Sequence, residues 1–160
     1  MNDTDYFLKK IAEREEIRPS VRTICIKDKK LLVQRNVFDK EPLYFFPGGG
    51  IEFGETMEHC IRREYKEEFN VEINKLEYLF VLENIFKFGN SLIHSLEHYF
   101  LVSVDKDALI DNENYLEHEW ITFDEIGERN LKPIIVRDLL KEKSLEEIHL
   151  LRNLSSLENE

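Results

Sequence analysis

The segment from Pro47 to Val71, PGGGIEFGETMEHCIRREYKEEFNV, constrains this chain more than any other part of it. Consecutive glycines stand ahead of a helix that carries Glu64, Glu67 and Glu68. Thr56 suits the N-cap, and Glu58 lies in the first turn, where the helix dipole favours an acid. Asn70 tolerates the left-handed conformation that ends a helix. The spacing predicts a helix from Thr56 to Phe69. At about 100° per residue, Met57, Cys60, Ile61, Tyr65 and Phe69 share one apolar arc. Glu64 and Glu68 fall inside that arc and Glu67 borders it. Buried carboxylates are costly unless paired or bound to a metal, and these repel one another at i, i+3 and i, i+4. Arg63 offsets only part of that repulsion. Gly48, Gly49 and Gly50 let backbone approach a ligand closely, and Gly54 permits a further bend before the helix. Hard cations such as Mg²⁺ take a few carboxylates, completed by water and substrate phosphate. Glu64, Glu67 and Glu68 with a carbonyl of the glycine turn supply such a set. A solvated acidic helix behind a glycine turn accounts for either half of the pattern alone, not for both at this spacing.

The rest of the chain frames this segment. Asp5 to Glu16 reads as a helix, with Phe7, Leu8, Ile11 and Ala12 at helical spacing and Pro19 beyond it. Val21–Ile26 and Leu31–Gln34 read as a hairpin, and Leu43–Phe46 as an aromatic strand running into the glycines. Strands are expected near Val71–Ile73, Glu77–Phe86 and Leu92–Val104, with Gly89-Asn90 as a turn between the last two, and at His118–Phe123. Asp124–Ile126 starts a turn or short helix. A further helix is expected from Pro133 through Ile134 to Lys141. From Ser144 the tail reads as a helix or as a strand at Ile148–Leu151, with a frayed end over about 152–160. Strands on both sides of a central helix, closed by a C-terminal helix, predict an α/β (α+β) fold, a mixed sheet covered by helices on both faces. No repeat or linker interrupts residues 1–160, so one domain is expected, with about 1–18 as an N-terminal helix.

The net charge of −11 argues against a grip on duplex nucleic acid, which needs a basic surface. It does not exclude a small phosphorylated ligand, because a divalent ion inverts the local field. Cys25 and Cys60 form no C-x-x-C pair and no Cys/His cluster, so no zinc site is signalled. The start lacks a secretory pattern and no apolar run reaches membrane-spanning length, so a reduced cytoplasmic setting with no membrane partner is expected.

The glycine turn and acid helix together resemble the Nudix box, G-x₅-E-x₇-R-E-U-x-E-E-x-G-U, with U a bulky apolar residue. Here its positions are Gly49, Glu55, Arg63, Glu64, Tyr65, Glu67, Glu68, Asn70 and Val71. Every charged position matches. Tyr65 replaces an aliphatic residue and Asn70 replaces the late glycine. Phe46–Gly49 and Trp120-Ile121 followed by Asp124-Glu125-Ile126 also look like the family. The resemblance implies an α/β/α sandwich and an Mg²⁺-dependent (or Mn²⁺-dependent) hydrolase. Its substrate would be a small nucleoside diphosphate derivative, cleaved by water attack on phosphorus. It implies Glu64, Glu68 and Glu67 as metal ligands with the Gly48 carbonyl, and Glu64 or Glu67 as the group assisting deprotonation of water. Arg63 would orient the glutamates, and Glu55 would support the turn or an outer water. A non-catalytic Nudix domain that binds a nucleotide and regulates something else is the alternative; such domains usually lose box glutamates.

Outside the box, Glu97 shares a strand face with Tyr99 and Leu101 and is a candidate further base or ligand, as is Glu119. Arg35 could contact a substrate phosphate or form a surface ion pair, Gly49 could present its backbone to substrate, and Phe46 could stack on a base or belong to the core. His94, His98 and His118 are scattered and read as structural. A homodimer through the N-terminal helix and aromatic strands is compatible with the sequence.

Overall fold

The computed structural model describes residues 3–144, 147–148 and 153–158. In chain order these form α1 (Asp3–Ala12), β1 (Ile17–Lys27), β2 (Lys30–Asn36), β3 (Tyr44–Phe45), β4 (Gly48–Gly50) and α2 (Met57–Phe69). Then come β5 (Ile73–Phe88), β6 (Ser91–Val104), β7 (Leu116–Thr122), α3 (Phe123–Ile126), β8 (Leu131–Lys132), α4 (Ile134–Glu142) and β9 (Asn153–Glu158). The expected α+β class holds: a mixed sheet with helices on both faces.

β1 and β2 meet at only one end. They pair through Ile26↔Leu31 and Lys27↔Lys30, across a turn whose Asp28 and Lys29 both take positive φ (52° and 60°). Two such residues in succession match the right-handed twist of a tight hairpin. Further along, the strands part. β1 pairs with β4 from Ser20↔Gly50 to Arg22↔Gly48, while β2 pairs with β3 at Gln34 and Arg35. On its other side β1 runs parallel to β6, which pairs with β5, and β5 runs parallel to β9. β2 carries β7 on its other side, and β3 carries β8. The sheet therefore opens like a V between β1 and β2.

Alternation along the strands feeds two cores. On β2, Leu31 and Val33 join Ile126, Val136 and Leu140 from α3 and α4. Leu32 faces the other way, with Val21 and Cys25 of β1, against Cys60, Ile61, Tyr65 and Phe69 of α2. Ile61, Tyr65 and Phe69 are fully buried; each such side chain is worth roughly 1.5–3 kcal/mol of hydrophobic burial. Tyr65 keeps its hydroxyl satisfied at 2.6 Å from Thr23 Oγ1. That contact explains how an aromatic stands where the box has an aliphatic.

Several expectations need correction. α1 ends at Ala12 rather than Glu16, and Glu15 turns the chain with φ 50°. Glu13 to Glu16 offer no apolar side chain to bury, and the parallel partner β6 captures Ile17 onward, Pro19 included. Of the expected strand at Val71–Ile73 only Ile73 is in a strand, as the first residue of β5, which runs to Phe88 with irregularities near Ile73 and Tyr78. The glycine turn is a strand, β4, held by β1. In the tail, Glu147 and Ile148 are helical, as one of the two alternatives has it; the rest of the expected strand at Ile148–Leu151 lies outside the described residues, and a strand not expected there lies at Asn153–Glu158. Pairing with β5 gives this segment partners for its backbone and covers an exposed sheet edge.

Candidate active site

α2 holds the acidic side chains in place from both ends. Thr56 Oγ1 accepts from His59 N at 3.2 Å, and Asn70 closes the helix at φ 51°, ψ 40°. The loop after β6 adds a clamp: Asn112 donates its backbone N–H to Glu68 O and its side-chain amide to Glu67 O, both at 2.8 Å. These bonds satisfy carbonyls that a helix end leaves unpaired.

Arg63 is the hub of the site. Its Nε and Nη2 reach the two oxygens of Glu55 at 2.7 and 3.0 Å, a bidentate grip. Nη1 reaches Glu64 Oε1 at 2.9 Å and Glu67 Oε2 at 3.2 Å, and Nη2 donates to Gly50 O at 3.3 Å. This grip holds the Glu55 carboxyl down at about 2. Arg63 itself is raised, chiefly by the same hydrogen bond to Glu55.

The other glutamates differ in burial. Glu64 and Glu68 face inward, and Glu67 is half exposed (53%) while Glu64 is 13% exposed. Burial raises the Glu64 carboxyl, and the Arg63 charge only partly opposes it. Burial pushes Glu68 up to about 8; a 2.9 Å hydrogen bond from Gln34 Nε2 opposes the rise and the Glu64 charge adds to it. Arg22 of β1 tempers both. The V between β1 and β2 thus receives two carboxyl groups short of positive charge.

The glycines make this approach possible. A Cβ on Gly49 would stand 2.0 Å from Glu64 Oε1, and one on Gly48 (φ 149°) would stand 2.1 Å from Val21 O. Only backbone fits between α2 and β1. Of the glycines in β4 only Gly48 uses positive φ, so the need at Gly49 is for space.

Among the described residues, no His, Cys, Asp and Glu side chains converge as a ready ion cage. Arg63 holds Glu64 and Glu67 by ion pairs, while Gln34 holds Glu68 by a hydrogen bond. The donor chemistry nevertheless fits a hard divalent cation, since it is all carboxylate and carbonyl oxygen. A cation would also relieve the charge deficit at Glu64 and Glu68.

The remaining sequence candidates separate clearly. Gly48 lies opposite Arg22, beside the acidic group. Glu97 is buried, not an exposed strand residue, and accepts from Asn84 Nδ2, Ser95 Oγ and Tyr99 OH at 3.3, 2.9 and 3.0 Å. Phe46 is fully buried, edge-on to Tyr99 with ring centroids 5.7 Å apart, so it has no free face for a base and belongs to the core. Arg35 is ion-paired with Glu117 across β2 and β7. Glu119 is taken by Arg129 at 2.7 Å. His94 meets Glu83, His98 meets Tyr78, and His118 meets Asp111 and the edge of Phe69. Gln34, Arg18, Arg22 and Asn112 were not singled out by the sequence. Only Gln34 leaves a trace there, as a polar residue on the inward face it shares with Leu32.

Comparison with known proteins agrees with this geometry. A family model described as NUDIX domain matches residues 16–142. Curated relatives include the NAD-capped RNA hydrolase NudC of Shigella flexneri, 27% identical over 112 residues. NudC of Escherichia coli (strain K12 / DH10B) is 26% identical over the same length. Both matches cover 69% of this chain and 41% of the relative, so the chain spans about two fifths of the curated relatives it matches. Among solved structures, a MutT protein from Methanosarcina mazei Go1 aligns with TM-score 0.64 at 20% identity, over 83% of this chain and 97% of that one. A MutT protein from Bacillus halodurans aligns with TM-score 0.62 at 20% identity, over 88% of each chain. At that identity the likeness speaks for the fold.

Proposed function

The chain belongs to the Nudix family, and from that premise we propose that it hydrolyses the diphosphate linkage of a small nucleoside diphosphate derivative. One observation carries the reading: all the charged box positions are present, with Glu64 and Glu68 aimed into the V behind a β4 that has room only for backbone. The curated relatives act, by name, on NAD-capped RNA, which makes a dinucleotide pyrophosphate a natural first substrate to try. ADP-ribose-like compounds, nucleotide sugars and nucleoside triphosphates share the same linkage. We read residues 1–160 as one such domain.

Glu64, Glu68 and Glu67, with the Gly48 carbonyl, would hold Mg²⁺ or Mn²⁺. When bound, such an ion neutralises diphosphate charge and eases deprotonation of water. The chain's own residues do the rest. Arg63 fixes Glu64 and Glu67 from one side and is itself locked by Glu55. Gln34 orients Glu68. The backbone of Gly49 lets the diphosphate come close to Glu64. A water oxygen forms the new bond to phosphorus as the bridging P–O bond breaks. Its proton passes to Glu64 or to the half-exposed Glu67.

The test is turnover of a panel of these diphosphates with and without Mg²⁺, with products identified. Cleavage at the diphosphate that needs the cation supports the reading. No hydrolysis of any member with the cation present would leave a nucleotide-binding domain without catalysis.

A further inference from the structure

The polar face of β1, β6 and β5 holds more hydrogen-bonding capacity than the chain itself uses. Register places Arg18, Ser95 and Asn84 in one row across the three strands, and Ser20, Glu97 and Leu82 in the next. Cross-strand partners point to the same face, so Arg18, Ser20, Asn84, Ser95 and Glu97 form one patch. Ser20 is opposite Gly50, so the patch borders the glycine strand of the candidate active site. Arg18 reaches toward it too: its guanidinium nitrogen lies 3.0 Å from where a Cβ on Gly50 would stand.

Three donors converge on the Glu97 carboxyl, leaving roughly one acceptor site of its two oxygens open. Asn84 gives its amide N–H to Glu97, and its Oδ1 has no partner. Ser20 Oγ has no partner either. Both side chains are almost wholly buried, at 4% and 0% exposure. Buried polar atoms are nearly always paired, so two orphans beside one carboxylate call for an explanation. The unmet capacity at Ser20, Asn84 and Glu97 is mainly for accepting, while the Arg18 guanidinium stands at the edge of the patch toward Gly50 and Phe7. An acceptor placed against Asn84 Oδ1 and Glu97 would meet only acceptors; a group bearing N–H would be held.

We propose that Ser20, Asn84 and Glu97 form a specificity subsite for an end group of the substrate that bears N–H donors, a carboxamide or an exocyclic amine. This rests on the diphosphate-hydrolase reading, and the subsite lies beside the glycine strand that reading assigns to the diphosphate. α1 lies at its edge, with the Phe7 ring 5.6 Å from the Arg18 guanidinium.

The test uses matched dinucleotide pyrophosphates. NAD is compared with its deamidated counterpart, which carries a carboxylate, and separately with its inosine counterpart, which lacks the adenine amine. The wild type should favour NAD over one of the two by about tenfold or more in kcat/KM, mainly through KM; which counterpart suffers identifies the end group. Ser20→Ala and Asn84→Leu should raise KM for NAD about three- to tenfold with kcat within twofold. Ser20→Ala should leave the melting temperature unchanged or higher, because it removes an unpaired hydroxyl. Equal KM for all three compounds, or variants that leave KM unchanged, would overturn the subsite. If none is hydrolysed, the hydrolase reading is what fails, and calorimetric binding of the same compounds decides the subsite: tighter binding of NAD supports it and equal binding overturns it.

Discussion

Arg63 and Glu68 concentrate the physics of the site at the scale of single residues. Arg63 → Lys keeps the charge but cannot span Glu55, Glu64, Glu67 and Gly50 O at once, because an ammonium lacks the planar fork. Residues that orient ligands typically cost about 10–100-fold when changed, so kcat/KM should fall by that much while the fold persists by circular dichroism. Glu68 carries a pH signature. Its carboxyl sits at about 8 in the folded chain against 4.5 for a free one. The folded state therefore binds the proton more tightly, so ionisation costs stability. That cost is absent below about pH 4.5, grows as pH rises and is complete above about pH 8. Without divalent cations, Glu68→Gln should be more stable than wild type at pH 8, by roughly 1–3 kcal/mol, and equal to it near pH 4.5. Urea denaturation at the two pH values checks this; a variant less stable at pH 8 would contradict it. The inward aim of Glu64 and Glu68 was legible in the sequence, because helical period alone sets it. The partners Gln34 and Arg22 were not, since they reach the site only through strand pairing.

At the scale of elements, the site depends on β4 and on both ends of α2. Gly49→Ala would set a methyl 2.0 Å from Glu64 Oε1, and the side chain can swing aside. It should therefore cost activity far more than stability. Gly48→Ala meets the backbone of Val21 at 2.1 Å and a φ of 149°, neither of which can yield cheaply. That variant should lose roughly 1–3 kcal/mol, read as a lower urea midpoint. The helix caps were legible because capping is local chemistry written in Thr56 and Asn70. β4 was not: glycines carry no alternation, and only pairing with Ser20 to Arg22 makes them a strand. The end of α1 is not legible for the related reason that β6 competes for Ile17 and Pro19 from far along the chain. Of the two roles the sequence leaves to Phe46, a stacking ring or a core residue, packing against Tyr99 selects the core.

For the whole molecule, the V-shaped sheet brings α2, β1 and β2 to one opening, while two separate cores support its arms. The box and the general α+β order were legible because they are carried by local motif and periodicity. β9 and the split of the sheet were not, because both come from pairings between distant segments. If the opening binds a divalent cation only when folded, the ion must stabilise the whole chain. At about a hundredfold excess over its dissociation constant that adds about 2.7 kcal/mol, or roughly 5–10 °C in Tm for a chain of this size. The most direct single measurement follows hydrolysis of a dinucleotide pyrophosphate in ¹⁸O-labelled water with Mg²⁺, for wild type and Glu68→Gln. The account predicts one labelled oxygen on a phosphate product, no turnover without the cation, and a rate lower by orders of magnitude in the variant. A variant as fast as wild type, or cleavage that leaves the label out of phosphate, would contradict it.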